Sequence, residues 1–134
     1  MRYERLEHTA DVMVRCTGAT LEECFCNAAY ALSDQMIDAS TVDEKLSFDI
    51  DVSGDDDEDR LFSYLSEVLF IIDSESVALG RFTVRFAGDR VIGKAYGEPL
   101  DLKKHRPKTE IKAVTYHMMR IDPSVPELTV VFDA

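Results

Sequence analysis

No stretch of the 134-residue chain approaches the roughly 20 consecutive apolar residues that a membrane span needs. The opening MRYERLEH is too charged for a signal peptide. A soluble, cytoplasmic protein with no membrane partner is expected. Glycine and proline are scarce, at six and four, and no cluster of them marks a linker. With no internal repeat either, residues 1–134 are expected to form one domain, large enough to bury about two thirds of its unfolded surface. No glycine-rich phosphate loop is present, and neither GxSxG nor HExxH occurs, so the common signatures of nucleotide binding and hydrolysis are missing. Cysteine is limited to Cys16, Cys24 and Cys26. An odd count without an export signal implies reduced thiols. Cys24 and Cys26 lie two apart on an expected helix, where they point to different faces and make a poor metal clamp. All three are read as structural.

Positive charge is also short: 15 Lys and Arg stand against 26 Asp and Glu, for a net charge of −11. Such a surface repels phosphate backbones, so no direct nucleic-acid binding is expected. It suits a basic partner or a cation, or serves solubility alone.

What is present is periodic. Residues 12–17, VMVRCT, read as a short strand. Thr20 and Glu23 form a capping box ahead of a helix whose apolar stripe is Leu21, Phe25, Ala28, Leu32 and Met36. Residues 45–52 alternate strictly, with Leu46, Phe48, Ile50 and Val52 on one side, as a half-buried strand does. Five acids at 55–59 then complement the N-terminus of a second helix over 60–73, striped by Leu61, Leu65, Val68 and Ile72 and widened by Phe62 and Leu69. As a cation site the acidic run is unconvincing, because consecutive acids on a helix fan outward. From residue 78 the period becomes two. A hairpin turns at Gly88-Asp89, and two further strands, EIKAVTYHMMRID and ELTVVFDA, flank the PSVP turn. The order strand, helix, strand, helix and four strands predicts an α+β fold. Its expected form is a two-layer sandwich with a mixed sheet of about six strands and two helices on one face.

Three kinds of chemistry can be weighed. A cysteine nucleophile needs a histidine beside it, and nothing in the spacing brings His8, His105 or His117 to Cys16. A carboxylate metal site could form if Asp11, at the start of the first strand, met Asp133 at the end of the last. Spacing alone leaves Asp11 as readily a turn residue. The segment 103–112 gathers Lys103, Lys104, His105, Arg106, Lys108 and Lys112, six of the eighteen basic residues. It is either an exposed, solvated loop balancing local acids or a contact patch for phosphate or an acidic partner surface.

Three collinear motifs carry a resemblance. EHTADVMVRCTGATLEECFCNAAYALSDQM resembles the opening of the archease family, YGEPLD…H…KTEIKAVTYH its central signature, and VVFDA its C-terminal end. Archeases are small acidic cofactors of the GTP- and metal-dependent RNA-splicing ligase, which joins RNA ends, chiefly in tRNA splicing, through a guanylylated histidine. The resemblance implies an accessory protein, not an enzyme, that promotes ligase guanylylation and multiple turnover. It further implies a divalent cation, typically calcium with Mg²⁺ or Mn²⁺ as alternatives. Its ligands would be Asp11, Asp133 and the backbone carbonyl of Ala134. Lys112 is implied as a functional residue, and the motif histidines His8 and His117 stand beside it as functional or partner-contact candidates. Two positions depart from the family pattern. Met13 stands where a small residue is usual, and Ala134 where Ile or Leu is usual, shrinking the apolar anchor next to the carbonyl. A stand-alone metal-dependent phosphohydrolase, or a chaperone-like adaptor, remains the alternative.

Overall fold

The computed structural model describes residues 2–6 and 11–134. His8 lies outside the described residues. Along the chain run β1 (Tyr3–Leu6), β2 (Val12–Thr17), α1 (Leu21–Met36), a 3₁₀ turn (Ala39–Thr41), β3 (Leu46–Ser53) and α2 (Asp57–Glu75). The hairpin β4 (Val77–Ala87) and β5 (Arg90–Pro99), a single helical turn α3 (Leu102–His105), β6 (Ala113–Asp122) and β7 (Glu127–Asp133) complete the order.

Local chemistry sets the helix starts. The Thr20 hydroxyl accepts from the Glu23 N–H at 3.1 Å, while the Glu23 carboxylate reaches back to the Ala19 N–H at 3.4 Å. Asp56 caps α2 by accepting from the Asp59 N–H at 2.8 Å. Asp57, Glu58 and Asp59 thus fall inside the first turn, against the positive end of the helix dipole. The helix begins three residues earlier than the apolar stripe alone suggests. Gly88 turns the hairpin at φ +62°, a conformation that favours glycine.

The α+β class is as expected, but the sheet differs from a single mixed one of about six strands. The structure has two antiparallel sheets, ordered β1-β2-β7-β6 and β3-β5-β4. Two causes are visible. The charged tetrad YERL forms an extra edge strand against β2, and residues 100–112 carry the chain away from β5, so β6 pairs with β7 instead of continuing that ladder. Both long helices touch both sheets: α1 packs on β2, β7 and β4, and α2 on β3 and β6. One apolar cluster is therefore shared by all of them. Phe25, Ala28, Leu32, Leu61, Leu65 and Val68 meet Val12, Val14, Leu128, Val130 and Phe132 in it. No helix among the described residues is long and apolar enough to cross a membrane.

A tyrosine hydroxyl lies within this core. Tyr64 is fully buried, its ring centroid 5.9 Å from that of Phe25, and its hydroxyl has no hydrogen-bond partner among the described residues. A buried hydroxyl without a partner forfeits its hydration for nothing in return. Tyr64→Phe should therefore hold or raise stability, by about 1 kcal/mol at most, in urea unfolding. A loss of that size would mean that the hydroxyl is satisfied after all.

Candidate functional site

The termini of the chain are brought together by the β2–β7 ladder. Its last pair is Val12 with Phe132, and β6 continues the row through Val114 opposite Phe132. These three side chains are buried, at 1%, 0% and 6% exposure, so the next residues along face the other side of the sheet. Asp11 directly precedes β2 and Asp133 ends β7, so both lie at this end of the sheet, and Asp133 is itself paired with Ala113.

The donors at this sheet end are hard oxygens. The carbonyl of Asp133 is already occupied, accepting from the Lys112 N–H at 2.7 Å. The other oxygens of this end belong to the carboxylates of Asp11 and Asp133 and to the carbonyl of Ala134, whose side chain packs against the core. Such donors are of the kind Ca²⁺ or Mg²⁺ takes at about 2.0–2.6 Å. Among the described residues no group of three or more His, Cys, Asp or Glu could hold a metal ion. Two carboxylates are thus the anionic share of any cation held at this end. Met13 is half-buried, flanked in register by Leu6 and Val131, so the larger side chain is absorbed by its neighbours on the sheet face.

Lys112 adjoins Asp133 directly, whereas His117 lies farther along β6 on an exposed stretch. The three cysteines are free thiols. Burial pushes Cys24 and Cys26 up to about 11 and raises Cys16 as well, which suits packing and not nucleophilic chemistry.

The basic segment behaves differently from an exposed loop. His105 is fully buried at the end of α3, and Glu98 is 3% exposed near the end of β5. Asp101 donates its N–H to His105 Nδ1 at 2.9 Å, which leaves the ring proton on Nε2, 3.0 Å from Glu98 Oε2. The same carboxylate oxygen accepts from the Asp43 N–H and from Lys104 Nζ, both at 2.8 Å, and Lys45 stands 3.4 Å from Oε1. Lys104 also pairs with Asp43, and Lys108 with Asp34. Lys104 and Lys108 are therefore engaged with local acids, as the solvated-loop reading held, while the buried histidine was not foreseen. Glu98 itself escaped sequence reading. The available signal was a carboxylate closing an alternating strand just ahead of a cation-rich segment.

The Asp43 N–H first, and then Lys104 and His105, hold the Glu98 carboxyl well below the usual carboxylate range. Its contribution to stability is complete above the unfolded-state value of about 4.3 and is lost as pH falls toward the depressed folded-state value. Glu98→Gln should lower the melting temperature at pH 7 and flatten the decline of stability below about pH 4.5. Thermal melts of both proteins from pH 7 to pH 3 check it, and parallel curves would rule the linkage out.

The sequence profile of the Archease protein family matches residues 3–134. The archease of Pyrococcus furiosus is 43% identical over 125 residues, covering 90% of this chain and 88% of that one. The archease of Sulfurisphaera tokodaii is 37% identical over 123 residues with the same coverage. The solution structure of Protein 1598 from Methanobacterium thermoautotrophicum superposes with a TM-score of 0.86 at 31% identity, over 99% of both chains. An archease from Thermotoga maritima, described as a possible chaperone, shares the fold with a TM-score of 0.64 at 24% identity, over 98% of this chain and 96% of that one.

Proposed function

The chain belongs to the archease family, and from that premise we propose that it is an accessory protein of the GTP-dependent RNA-splicing ligase of tRNA splicing. In this reading it joins no RNA itself. It promotes guanylylation of the ligase and lets each ligase molecule turn over repeatedly. The observation that carries the reading is the β2–β7 register, which brings the family's two aspartates, Asp11 and Asp133, to one sheet end from opposite ends of the chain. The net charge of −11 supports it, because a surface this acidic acts on RNA chemistry through a protein partner more readily than by gripping phosphates.

Asp11 and Asp133 gather two carboxylates that repel one another until a divalent cation, calcium by the family pattern, neutralises them. The Lys112 N–H holds the Asp133 main chain in position, and the packed Ala134 side chain steadies the neighbouring carbonyl as a third oxygen donor. The cation supplies charge neutralisation near nucleotide phosphates, which favours phosphoryl transfer. Lys112 and His117 are exposed on β6 or its approach and are the residues through which the partner is met. A chaperone-like adaptor would share the partner but not the dependence on the carboxylate pair.

The test uses limiting ligase and scores RNA joined per ligase with and without this protein. Wild type should raise product beyond one turnover, and Asp11→Ala and Asp133→Ala should remove at least 90% of that gain while keeping the fold. A second readout needs no ligase: Ca²⁺ should raise the melting temperature of wild type and of neither variant. Full stimulation by both variants would sink the carboxylate mechanism.

A further inference from the structure

A groove of about 280 Å³ runs between α2 and the start of β6, lined by Phe62, Ser66, Leu69, Phe70, Asp73 and Lys112. Its helical members recur at spacings of three and four, so they form one stripe of α2. Phe70 is 63% exposed at its lip. Phe62 of this lining also stacks on Tyr116 of β6, with centroids 4.2 Å apart and planes 10° apart, and Met118 lies two residues further along that strand. Tyr116 and Met118 are each half exposed.

The backbone holds this strip outward. Between the pairs Thr115–Val131 and Arg120–Thr129, β6 carries three more residues than β7. Met118 within that bulge has φ +54°, a left-handed conformation uncommon for a methionine. A bulge on an edge strand that turns apolar side chains toward solvent ties backbone strain to exposure, a combination that gathers at binding surfaces.

The α2 side of the rim is acidic: Tyr116 donates its hydroxyl to Asp59 at 3.0 Å and Asp73 lies in the groove, while Lys112 is the cation of the opposite wall. A second copy of this chain, docked on a twofold axis, would set those acids against themselves. An enzyme that holds RNA ends and GTP presents the opposite charge, a cationic margin around its cleft. An apolar centre with an acidic rim is the complement of a cationic rim with an apolar anchor.

We propose that the α2–β6 groove, with Phe70 at its lip, is the surface on which the ligase's basic margin docks, orienting the Asp11–Asp133 end toward the ligase cleft. This rests on the ligase reading above. The experiment measures binding of purified ligase to the full chain at low and moderate salt. Phe70→Ser should weaken binding at least tenfold, and so should Asp73→Lys, which should also reduce the salt dependence. Both positions are exposed, and both variants should keep the wild-type melting temperature and its rise with Ca²⁺. Raising Phe70→Ser to saturation should restore stimulation, whereas Asp11→Ala should bind the ligase and still fail to stimulate. If both groove variants bind like wild type, the docking surface is wrong while the accessory role stands. If wild type itself neither binds nor stimulates, the ligase reading falls and this inference with it. A wild-type dimer in sedimentation that Phe70→Ser dissolves would make a second copy the occupant and overturn the proposal.

Discussion

The antiparallel pairing of β2 with β7 is the constraint on which the rest depends. It joins residues near the two ends of the chain, so it closes the largest loop the fold contains. Three of its inward positions on each strand, Val12, Val14 and Cys16 against Leu128, Val130 and Phe132, are essentially inaccessible. Burial on that face rules out a one-residue slip, which would turn the whole row toward solvent. The same rigidity fixes what lies beyond the last pair. Asp11 and Asp133 lie at one end of the sheet because the ladder ends between them and the apolar row behind.

A second constraint acts at the far end of the chain's crossing from one sheet to the other. Glu98 ends β5 in a nearly dry position and collects a backbone N–H, two lysines and a histidine. A carboxylate buried this deeply is tolerable only when so many donors converge on it. The result is a clamp. The Asp38 N–H donates to the His105 carbonyl at 2.7 Å, and the Lys108 and Thr109 N–H groups donate to the last turn of α1 through Met36 and Gln35. The segment from 100 to 112 is thus tied to the end of α1 and delivered to the start of β6 in a set place. Lys112, which bonds Asp133, is its last residue, so the clamp and the carboxylate end are linked through a single ordered segment.

Elements whose causes are local were legible. The Thr20 and Glu23 cap, the stripe of Phe25, Ala28 and Leu32, the alternation around Ile50 and the Gly88 turn each depend on neighbours within a few positions, and each stands as read. What escaped depends on partners far away in sequence. β1 is a four-residue charged tetrad that becomes a strand only because β2 offers an edge. The division into two sheets follows from how far residues 100–112 travel, which no periodicity encodes. His105 looked like one more cation of a solvated loop, and its burial follows from Glu98, seven residues away on another element. The bulge in β6 is invisible without the β7 register beside it. Asp11 and Asp133 were joined by likeness of motif, since their spacing carries no information about contact. The ladder shows only that the start of β2 and the end of β7 share one end of a sheet.

Charge and apolar surface are distributed in a way that follows from these constraints. Lys104 and Lys108 are paired with Asp43, Glu98 and Asp34, whereas Asp59 and Asp73 of α2 leave negative charge beside the groove. Phe62, Phe70, Tyr116 and Met118 lie within that negative field, held there by the helix stripe and the bulge. An apolar strip alone would invite self-association, but the acids around it penalise a symmetric contact and favour an oppositely charged surface. Selectivity of this kind needs no pocket shaped to one ligand. It needs a rigid edge, an aromatic anchor and repulsion of every wrong partner that carries the same sign.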